Sequence, residues 1–399
     1  MKRHLIAAFV LALALPSVAS AQWYLFPGGR GTKDTVKVRT VPDTVVVRSL
    51  PDSTLALRDT SFVFLDSVTV SVPTTHVSLI LPFKSTGTPN SNFLEFYCGA
   101  LLAADGLCSD EHRYEISVFD STVGLPSAER LDSSDLIIGP VNLFEVELML
   151  PMLHGKYMVS PLDPKVSVMT DRFNVIQAPA GWEAQADELV HWLVEDLRGG
   201  DQVVLLQSDS EAGGEIATRL AAAMGERGIA YSVSSSPESW EDKVRGTCRF
   251  VIASENDEFC SAAVREIALM NLKGGHNMVY SISRLRGIPD LETESLHAAA
   301  ARITASYYAD PGDIMVRNFA ENYRSLFKGE PGQWAYQGYD LMMYFGTPAA
   351  SNPDLWQEEL AATPGNGLQT DFRFDSTGKN NTAVRRLKYN SNNTITIIR

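Results

Sequence analysis

The stretch Val77-Ser78-Leu79-Ile80-Leu81-Pro82 decides the fold, together with the helix that follows it. Residues 77–81 are apolar apart from Ser78 and end at a proline, which is typical of a short buried strand. Residues 93–104 then carry apolar side chains at helical spacing and stop before Gly106. A buried strand followed by an amphipathic helix is the first unit of an alternating α/β chain.

The same alternation continues along the chain and then restarts. The first run predicts strands at 114–119, 136–138 and 157–159 and a helix at 144–153. The second run predicts strands at 202–206, 249–253 and 278–282 and helices at 182–197, 214–227 and 258–272. Continuously apolar strands such as Leu136-Ile137-Ile138 are buried on both faces, as in parallel sheets. The fold class is therefore α/β, with two Rossmann-like lobes of parallel sheet joined by a multi-stranded hinge.

This pattern divides the chain into four parts. We predict a signal peptide at 1–21, an extended or β-rich stalk at 22–75, a first lobe at 76–175 to which 308–350 return, and a second lobe at 178–306 to which 366–399 return. The predicted hinge crossings lie at 174–178, 303–308 and 346–367. Within the stalk, an extended spacer and a hairpin added to the main domain both stay open, because isolated strands are marginally stable.

The amino-terminal residues predict export. Lys2 and Arg3 precede an apolar run at 5–15, and Ala19-Ser20-Ala21 supplies a small-residue cleavage pattern. The apolar run is shorter than the roughly 20 residues that span a bilayer. We expect cleavage after Ala21 and a periplasmic product that is not a lipoprotein, since no cysteine stands at the cut.

The net charge limits the classes of binding partner. Loss of Lys2 and Arg3 with the signal peptide would change the formal charge from −14 to −16. Such a surface repels phosphate backbones and anionic lipid head groups, so nucleic acid is not an expected partner.

Four cysteines raise the question of disulfides in an exported chain. Cys98 and Cys108 are separated by about 15 Å of helical rise, against a limit near 7 Å between bridged Cα atoms. Cys248 and Cys260 are predicted at opposite ends of a strand. Long-range pairs stay open, and free, buried thiols are the expectation.

Small and polar residues follow the predicted strands, where ligands bind in open parallel sheets. The ligand-binding residues that we predict from this position are Phe83, Ser85, Gly139, Pro140, Asn142, Ser160, Ser208, Ser254 and Ser281. Hydroxyls, amides and backbone N–H groups suit a small zwitterion or anion. The alternative for each Ser or Asn is that it caps the next helix.

Five motifs in order resemble a known family. They are Ile80-Leu81-Pro82-Phe83, Phe96-Tyr97-Cys98-Gly99-Ala100, Ile137-Ile138-Gly139-Pro140, Val159-Ser160-Pro161-Leu162 and Tyr336-Gln337-Gly338-Tyr339-Asp340. From about His76 to Tyr389 the chain resembles type I periplasmic solute-binding proteins of the branched-chain amino-acid-binding kind. It is most similar to the exported amino acid ABC transporter substrate-binding proteins of Bacteroidetes, some of which carry LysM modules. No LysM pattern is visible before residue 76.

The resemblance implies a hinged clamshell that closes on an amino acid or similar solute. It implies that the first lobe binds through Gly139-Pro140-Val141-Asn142 and Ser160-Pro161-Leu162. Asp163-Pro164 stands where many members have a small hydroxyl residue, and only Glu211 or Glu255 is placed to meet a ligand ammonium. A pocket that has drifted from amino-acid binding is therefore an open alternative.

The sequence offers no catalytic or cofactor motif. The histidines of the mature chain stand far apart, and neither Cys-x-x-Cys nor Gly-x-Ser-x-Gly occurs. We expect a non-enzyme without cofactor that binds a small polar solute, an amino acid or a peptide, and delivers it to an inner-membrane permease. The competing hypothesis is a degenerate clamshell that acts as a cell-envelope interaction or regulatory module linked to peptidoglycan.

Overall fold

The computed structural model describes residues 72–211, 214–240 and 247–398, and only the backbone of residues 19–20 and 211. Apart from the backbone of Ala19–Ser20, the predicted signal peptide and stalk residues 22–71 lie outside the described residues. Thr74 and Thr75, which the sequence assigned to the stalk, belong to the first strand of the sheet.

The first lobe is built on five parallel strands in the spatial order β2–β1–β3–β4–β5. The strands are β1 (Thr74–Leu81), β2 (Arg113–Asp120), β3 (Leu136–Ile138), β4 (Met158–Ser160) and β5 (Val175–Gln177). The helices between them are α1 (Ser91–Leu107), α2 (Ala128–Leu131), α3 (Leu143–Met149) and α4 (Ser167–Thr170). The backbone of Ala19–Ser20 runs antiparallel beside β2.

The second lobe begins with α5 (Trp182–Asp196) and has a seven-stranded sheet in the order β14–β13–β10–β9–β8–β6–β7. Its strands are β6 (Gln202–Leu206), β7 (Ser232–Ser234), β8 (Cys248–Ile252), β9 (Met278–Ile282), β10 (Arg302–Ala305), β13 (Arg385–Tyr389) and β14 (Ile395–Ile398). Its further helices are α6 (Glu215–Glu226), α7 (Asp257–Leu272) and α8 (Thr293–Ala298). Strands β6 to β10 are parallel, whereas β13 and β14 are antiparallel additions.

Each sheet is covered by helices on both faces, which explains the continuously apolar strands. In β1, Leu79 and Leu81 pack into a core with α1, while Ile80 faces a second core that contains Val146 of α3. In the second lobe, one core includes residues of α5 and α6 and another includes residues of α7 and α8. Burial on both faces leaves no polar face, so the strands lack the alternation of a half-exposed strand.

Two later helices return to the first lobe. They are α9 (Ile314–Phe327) and α10 (Gln333–Ser351), which precede the two-stranded hairpin β11 (Gly365–Asn366) and β12 (Asp371–Phe372). Phe372 and Phe374 pack in the first lobe's core, so the chain leaves this lobe only after residue 374. The rings of Tyr336 and Tyr339 lie 4.9 and 4.8 Å from the ring of Phe319, so these tyrosines pack in the core between α9 and α10.

The predicted hinge segments overlap the observed crossings only in part. Residues 175–177 are the edge strand β5, and residues 302–305 are the internal strand β10. Residues 346–351 continue α10. The segments that pass between the lobes are the first crossing at 178–181, the second at 306–313 and the third at 375–384. The error arose because short apolar strands that enter a hinge have the same composition as strands inside a sheet.

The four cysteines are free thiols, but the expected burial is found only for Cys248 and Cys260, because Cys98 is half-buried and Cys108 is exposed. Cys108 caps the carboxyl end of α1, as expected, and burial raises the pKa of Cys98 to about 12. Cys260 lies inside α7 and not at a strand end, which corrects that part of the prediction. In the described part of the chain, no helix combines the length and apolarity needed to cross a membrane.

Candidate functional site

The carboxyl edges of the two sheets meet at the crossings. Strand β5 ends at Gln177 and β10 at Ala305, and the residues just after them touch, because Ser306 Oγ donates to the Ala180 carbonyl oxygen at 2.6 Å. Gln185 Nε2 donates to Ser306 Oγ at 2.8 Å. The carboxyl ends of β5 and β10 therefore lie close together, next to the position where the sequence predicts the ligand cleft.

The third crossing is tied to the first through backbone and amide groups. The Gln177 N–H donates to the Lys379 carbonyl oxygen at 2.8 Å, and the Asn381 N–H donates to the Gln177 carbonyl oxygen at 3.1 Å. Asn381 Nδ2 donates to the Ala178 carbonyl oxygen at 2.8 Å. The crossings thus form a connected strip behind the cleft.

Gly139 shapes the first lobe's wall of the cleft. Its φ is +98°, and its peptide bond to Pro140 is cis. A Cβ at this position would lie 2.0 Å from the Ile80 carbonyl oxygen. The backbone of this turn therefore approaches β1 more closely than any larger residue allows.

Ser160 stands at the carboxyl end of β4 and is fully buried. Its Oγ has no hydrogen-bond partner within the described structure. Ser121, just after β2, also has a buried Oγ without a partner there. An unpaired buried hydroxyl costs about 1–3 kcal/mol, so both groups at this edge retain unused hydrogen-bonding capacity.

Asp120 organises the loop after β1. Its carboxylate accepts hydrogen bonds from the N–H groups of Phe83 and Ser85, from Ser85 Oγ at 2.6 Å, and from Thr122. Burial alone would raise the pKa of Asp120, but the hydrogen bonds from Ser85 and Thr122 outweigh it and lower the pKa. The Phe83 ring packs edge-on against Tyr97 at 6.3 Å. Phe83 and Ser85 therefore have structural partners, and their role in binding stays a prediction.

Asn142 and Asp163 cap short helices. Asn142 Oδ1 accepts from the Glu145 N–H at 2.9 Å, and Asp163 accepts from the N–H groups of Lys165 and Leu143. Of the residues that precede these caps in the sequence, Pro140 is buried, and Val141 and Leu162 are partly buried against the core.

On the second lobe, the predicted serines lie at or near strand ends, and the hydroxyls of Ser208 and Ser254 already have hydrogen-bond partners. Ser208 Oγ lies 2.8 Å from Ser210 Oγ, and Ser254 Oγ accepts from the Asn256 N–H at 3.1 Å. Ser281 is buried within β9, where it pairs with Ile303 of β10. Whether these side chains contact a ligand stays a prediction.

Gln337 and Asp340 on α10 were not predicted to take part in the hydrogen bonding of the site. Gln337 Nε2 donates to the Pro161 carbonyl oxygen at 3.1 Å, while Gln337 Oε1 accepts from Gln369 and Thr370. Asp340 accepts from the backbone N–H groups of residues 368–370. These two residues join the cleft wall to the segment that leads into the third crossing. Polar residues three apart on an otherwise apolar helix were the available signal.

Asp340 is almost completely buried. Burial raises its pKa to about 6, although the three backbone N–H groups oppose that shift. At neutral pH the carboxylate is still the major form, and its charge is met by those N–H groups and by the nearby Arg385.

No group of three or more His, Cys, Asp or Glu side chains within the described ranges is arranged to hold a metal ion. The chemistry that this edge offers is hydrogen bonding from hydroxyls and backbone groups.

Comparisons with known proteins address the fold. No protein-family model matches the sequence, and no curated protein sequence matches it. A solved structure from Rhodospirillum rubrum, described as a branched-chain amino acid ABC transporter, is similar to it with a TM-score of 0.61 at 16% identity. The match covers 82% of this chain and 100% of that one. The chain has the type I periplasmic binding protein fold.

Two further structures support the type I fold. An ABC transporter substrate-binding protein from Desulfitobacterium hafniense gives a TM-score of 0.52 at 14% identity, covering 82% of this chain and all of that one. The LpoA C-domain from Haemophilus influenzae, a regulator of PBP1A, gives 0.50 at 12% identity with the same coverage. The predicted fold class is confirmed, and the resemblance drawn from the motifs is confirmed at the level of the type I fold.

Proposed function

We propose that the protein binds a small, polar, amino-acid-like solute in the cleft between its lobes and does not change it chemically. The observation that carries this proposal is Ser160, whose fully buried Oγ lacks a partner at the carboxyl edge where type I folds bind ligands. A ligand that donates or accepts there would recover a hydrogen bond that the protein alone does not make.

The rest of the wall is preorganised for such a ligand. Asp120, Asn142 and Asp163 fix the loops by accepting backbone N–H groups, so few side chains would need to reorder on binding. The fold of the D. hafniense protein, which its name describes as substrate-binding, supports a binding role over a catalytic one.

The proposed setting is the periplasm, after cleavage following Ala21. There the solute would pass to an inner-membrane permease, as the resemblance to transport receptors implies. The amino-terminal sequence and the type I fold support this setting.

A thermal-shift screen over amino acids, short peptides and muropeptides tests the proposal. A ligand at 100 times its Kd adds about 2.7 kcal/mol of stability, which gives a clear rise in Tm. Failure of every compound to move the Tm would reject the solute-binding function.

The second candidate is an envelope interaction or regulatory module. The observation that favours it is the shared fold of the LpoA C-domain, a regulator of another protein. This candidate predicts no response to free amino acids. It also predicts that the full mature chain, which includes residues 22–75, binds a cell-envelope protein in a pull-down assay. A chain that starts at residue 72 should not bind that protein.

A further inference from the structure

A cavity of about 440 Å³ lies beside the crossings and shares no residue with the predicted cleft site. Its lining comes from the first lobe (Gln177 and Arg373), from the crossings (Gly181 and Thr382) and from the second lobe (Glu183, Ala184 and Arg227), among others. This volume lies within the range of small-molecule pockets. A molecule held there would touch both lobes where they are joined.

One lining residue has an unused acceptor. Gln177 is only 2% exposed, and its Nε2 donates to the Pro179 carbonyl oxygen at 2.7 Å. Its Oε1, by contrast, has no partner among the described residues. Buried amide oxygens are normally paired, so this atom indicates a missing N–H or O–H donor.

A carboxylate stands next to this amide. A Cβ built on Gly181 would lie 2.7 Å from Glu183 Oε2 and 3.8 Å from Gln177 Nε2, which places both side chains around Gly181. Farther along α5, Asp187 pairs with Arg219, and Glu188 Oε1 lies 2.5 Å from Arg386 Nε. Glu183 forms no such ion pair within the described structure, and it is the carboxylate left to meet a ligand cation.

The cavity also contains cationic groups. The Arg373 side chain is exposed and makes no hydrogen bond or ion pair with any described residue. Arg227 uses one nitrogen to donate to the Ala223 carbonyl oxygen at 3.2 Å and has further donors. An unpaired amide oxygen, a carboxylate without an ion pair among the described residues and guanidinium groups all line this one cavity, and together they match a ligand that carries both an ammonium and a carboxylate.

We propose that this cavity is a second binding site, separate from the cleft, for a small zwitterion with the size of a dipeptide. The ammonium donates to Gln177 Oε1 and Glu183, and the carboxylate accepts from Arg373. This site stands whether or not the cleft binds a solute.

Nuclear magnetic resonance titration of the ¹⁵N-labelled mature chain with glycylglycine tests the site. Shifts are expected at the amides of Gly181, Ala184 and Thr382. N-acetyl-glycylglycine, which lacks the ammonium, and glycylglycinamide, which lacks the carboxylate, should each bind at least about tenfold more weakly, the size expected for one charge-assisted hydrogen bond.

Two variants and a matched control complete the test. Glu183→Gln and Arg373→Gln change exposed side chains and should each weaken glycylglycine binding about tenfold. Arg172→Gln, an exposed arginine outside the cavity, should bind as the parent does. The site is rejected if glycylglycine shifts none of the three amides, if shifts occur only at cleft amides such as those of Gly139, Ser160 and Ser254, or if Arg373→Gln binds unchanged.

Discussion

Two buried serines in the first sheet differ in the partner of the hydroxyl. Ser78 Oγ lies 2.7 Å from Ser134 Oγ, whereas Ser160 Oγ has no partner within the described ranges. A paired buried hydroxyl contributes to stability, and an unpaired one detracts from it. This contrast separates a structural serine from a candidate ligand-binding serine.

Ser160→Ala should leave the free energy of unfolding unchanged or raise it by about 1 kcal/mol, because it removes an unpaired polar group. Ser78→Ala should lower it by about 1 kcal/mol, because it leaves Ser134 unpaired. Urea unfolding measures both. Ser160→Ala should also weaken binding of any solute found in the screen. A parallel loss of stability and binding in Ser160→Ala would show instead that Ser160 is structural.

Asp120 predicts a pH dependence. Its pKa in the folded state lies below the ordinary value of 3.8, so the unfolded chain binds more protons in the acid range. Its contribution is therefore fully present above pH 3.8 and is lost as the pH falls through the lower folded pKa. The stability difference between the parent and Asp120→Asn, measured by urea unfolding, should shrink on acidification below pH 3.8. A difference that grows on acidification would contradict this assignment.

At the scale of elements, α1 and α10 pack with their backbones in contact. A Cβ on Gly99 would lie 1.9 Å from the Ala335 carbonyl oxygen, and one on Gly338 would lie 1.9 Å from the Phe96 carbonyl oxygen. Both glycines belong to motifs that carried the family resemblance. Their physical role is to let the two helices approach closely.

Gly338→Ala should lower the free energy of unfolding by about 3 kcal/mol, because the methyl group forces the helices apart. Gly106→Ala is the matched control, since a Cβ there meets nothing within 4 Å and the residue lies inside α1. It should stabilise the protein by about 0.5–1 kcal/mol through helix propensity. Denaturant unfolding of the two variants decides, and equal effects would refute the close-contact explanation.

Asp340→Asn tests how α10 holds the segment before the third crossing. An amide side chain has one acceptor oxygen and turns a donor toward the N–H groups of residues 368–370, so it should cost about 2–3 kcal/mol at neutral pH. Hydrogen exchange of those three amides should accelerate. Unchanged protection would mean that the loop is held by other contacts.

Elements were predictable where burial imposed a pattern. The strands at 136–138, 202–206 and 278–282 have the predicted bounds because a strand buried on both faces is a largely apolar run. Helix α8 and strand β7 were not predicted, because both are short. Strand β7 also lies at a sheet edge and carries serine, a weak strand former.

At the scale of the whole molecule, the sequence predicted that most of the polar residues follow the carboxyl ends of strands, but it did not show their hydrogen bonds. Asn142 caps a helix, as the alternative to ligand binding predicted, because a backbone N–H group lies close to its side chain. Ser85 is held by the Asp120 carboxylate. The link from Gln337 to Pro161 and Thr370 depends on residues far apart in the chain, which periodicity does not bring together.

We propose that the two lobes close on a solute captured between their carboxyl edges. Small-angle X-ray scattering of the mature chain, with and without a pool of the proteinogenic amino acids, tests closure most directly. We expect a smaller radius of gyration with the pool, and its loss in Ser160→Ala. Identical scattering curves with and without the pool would contradict the account.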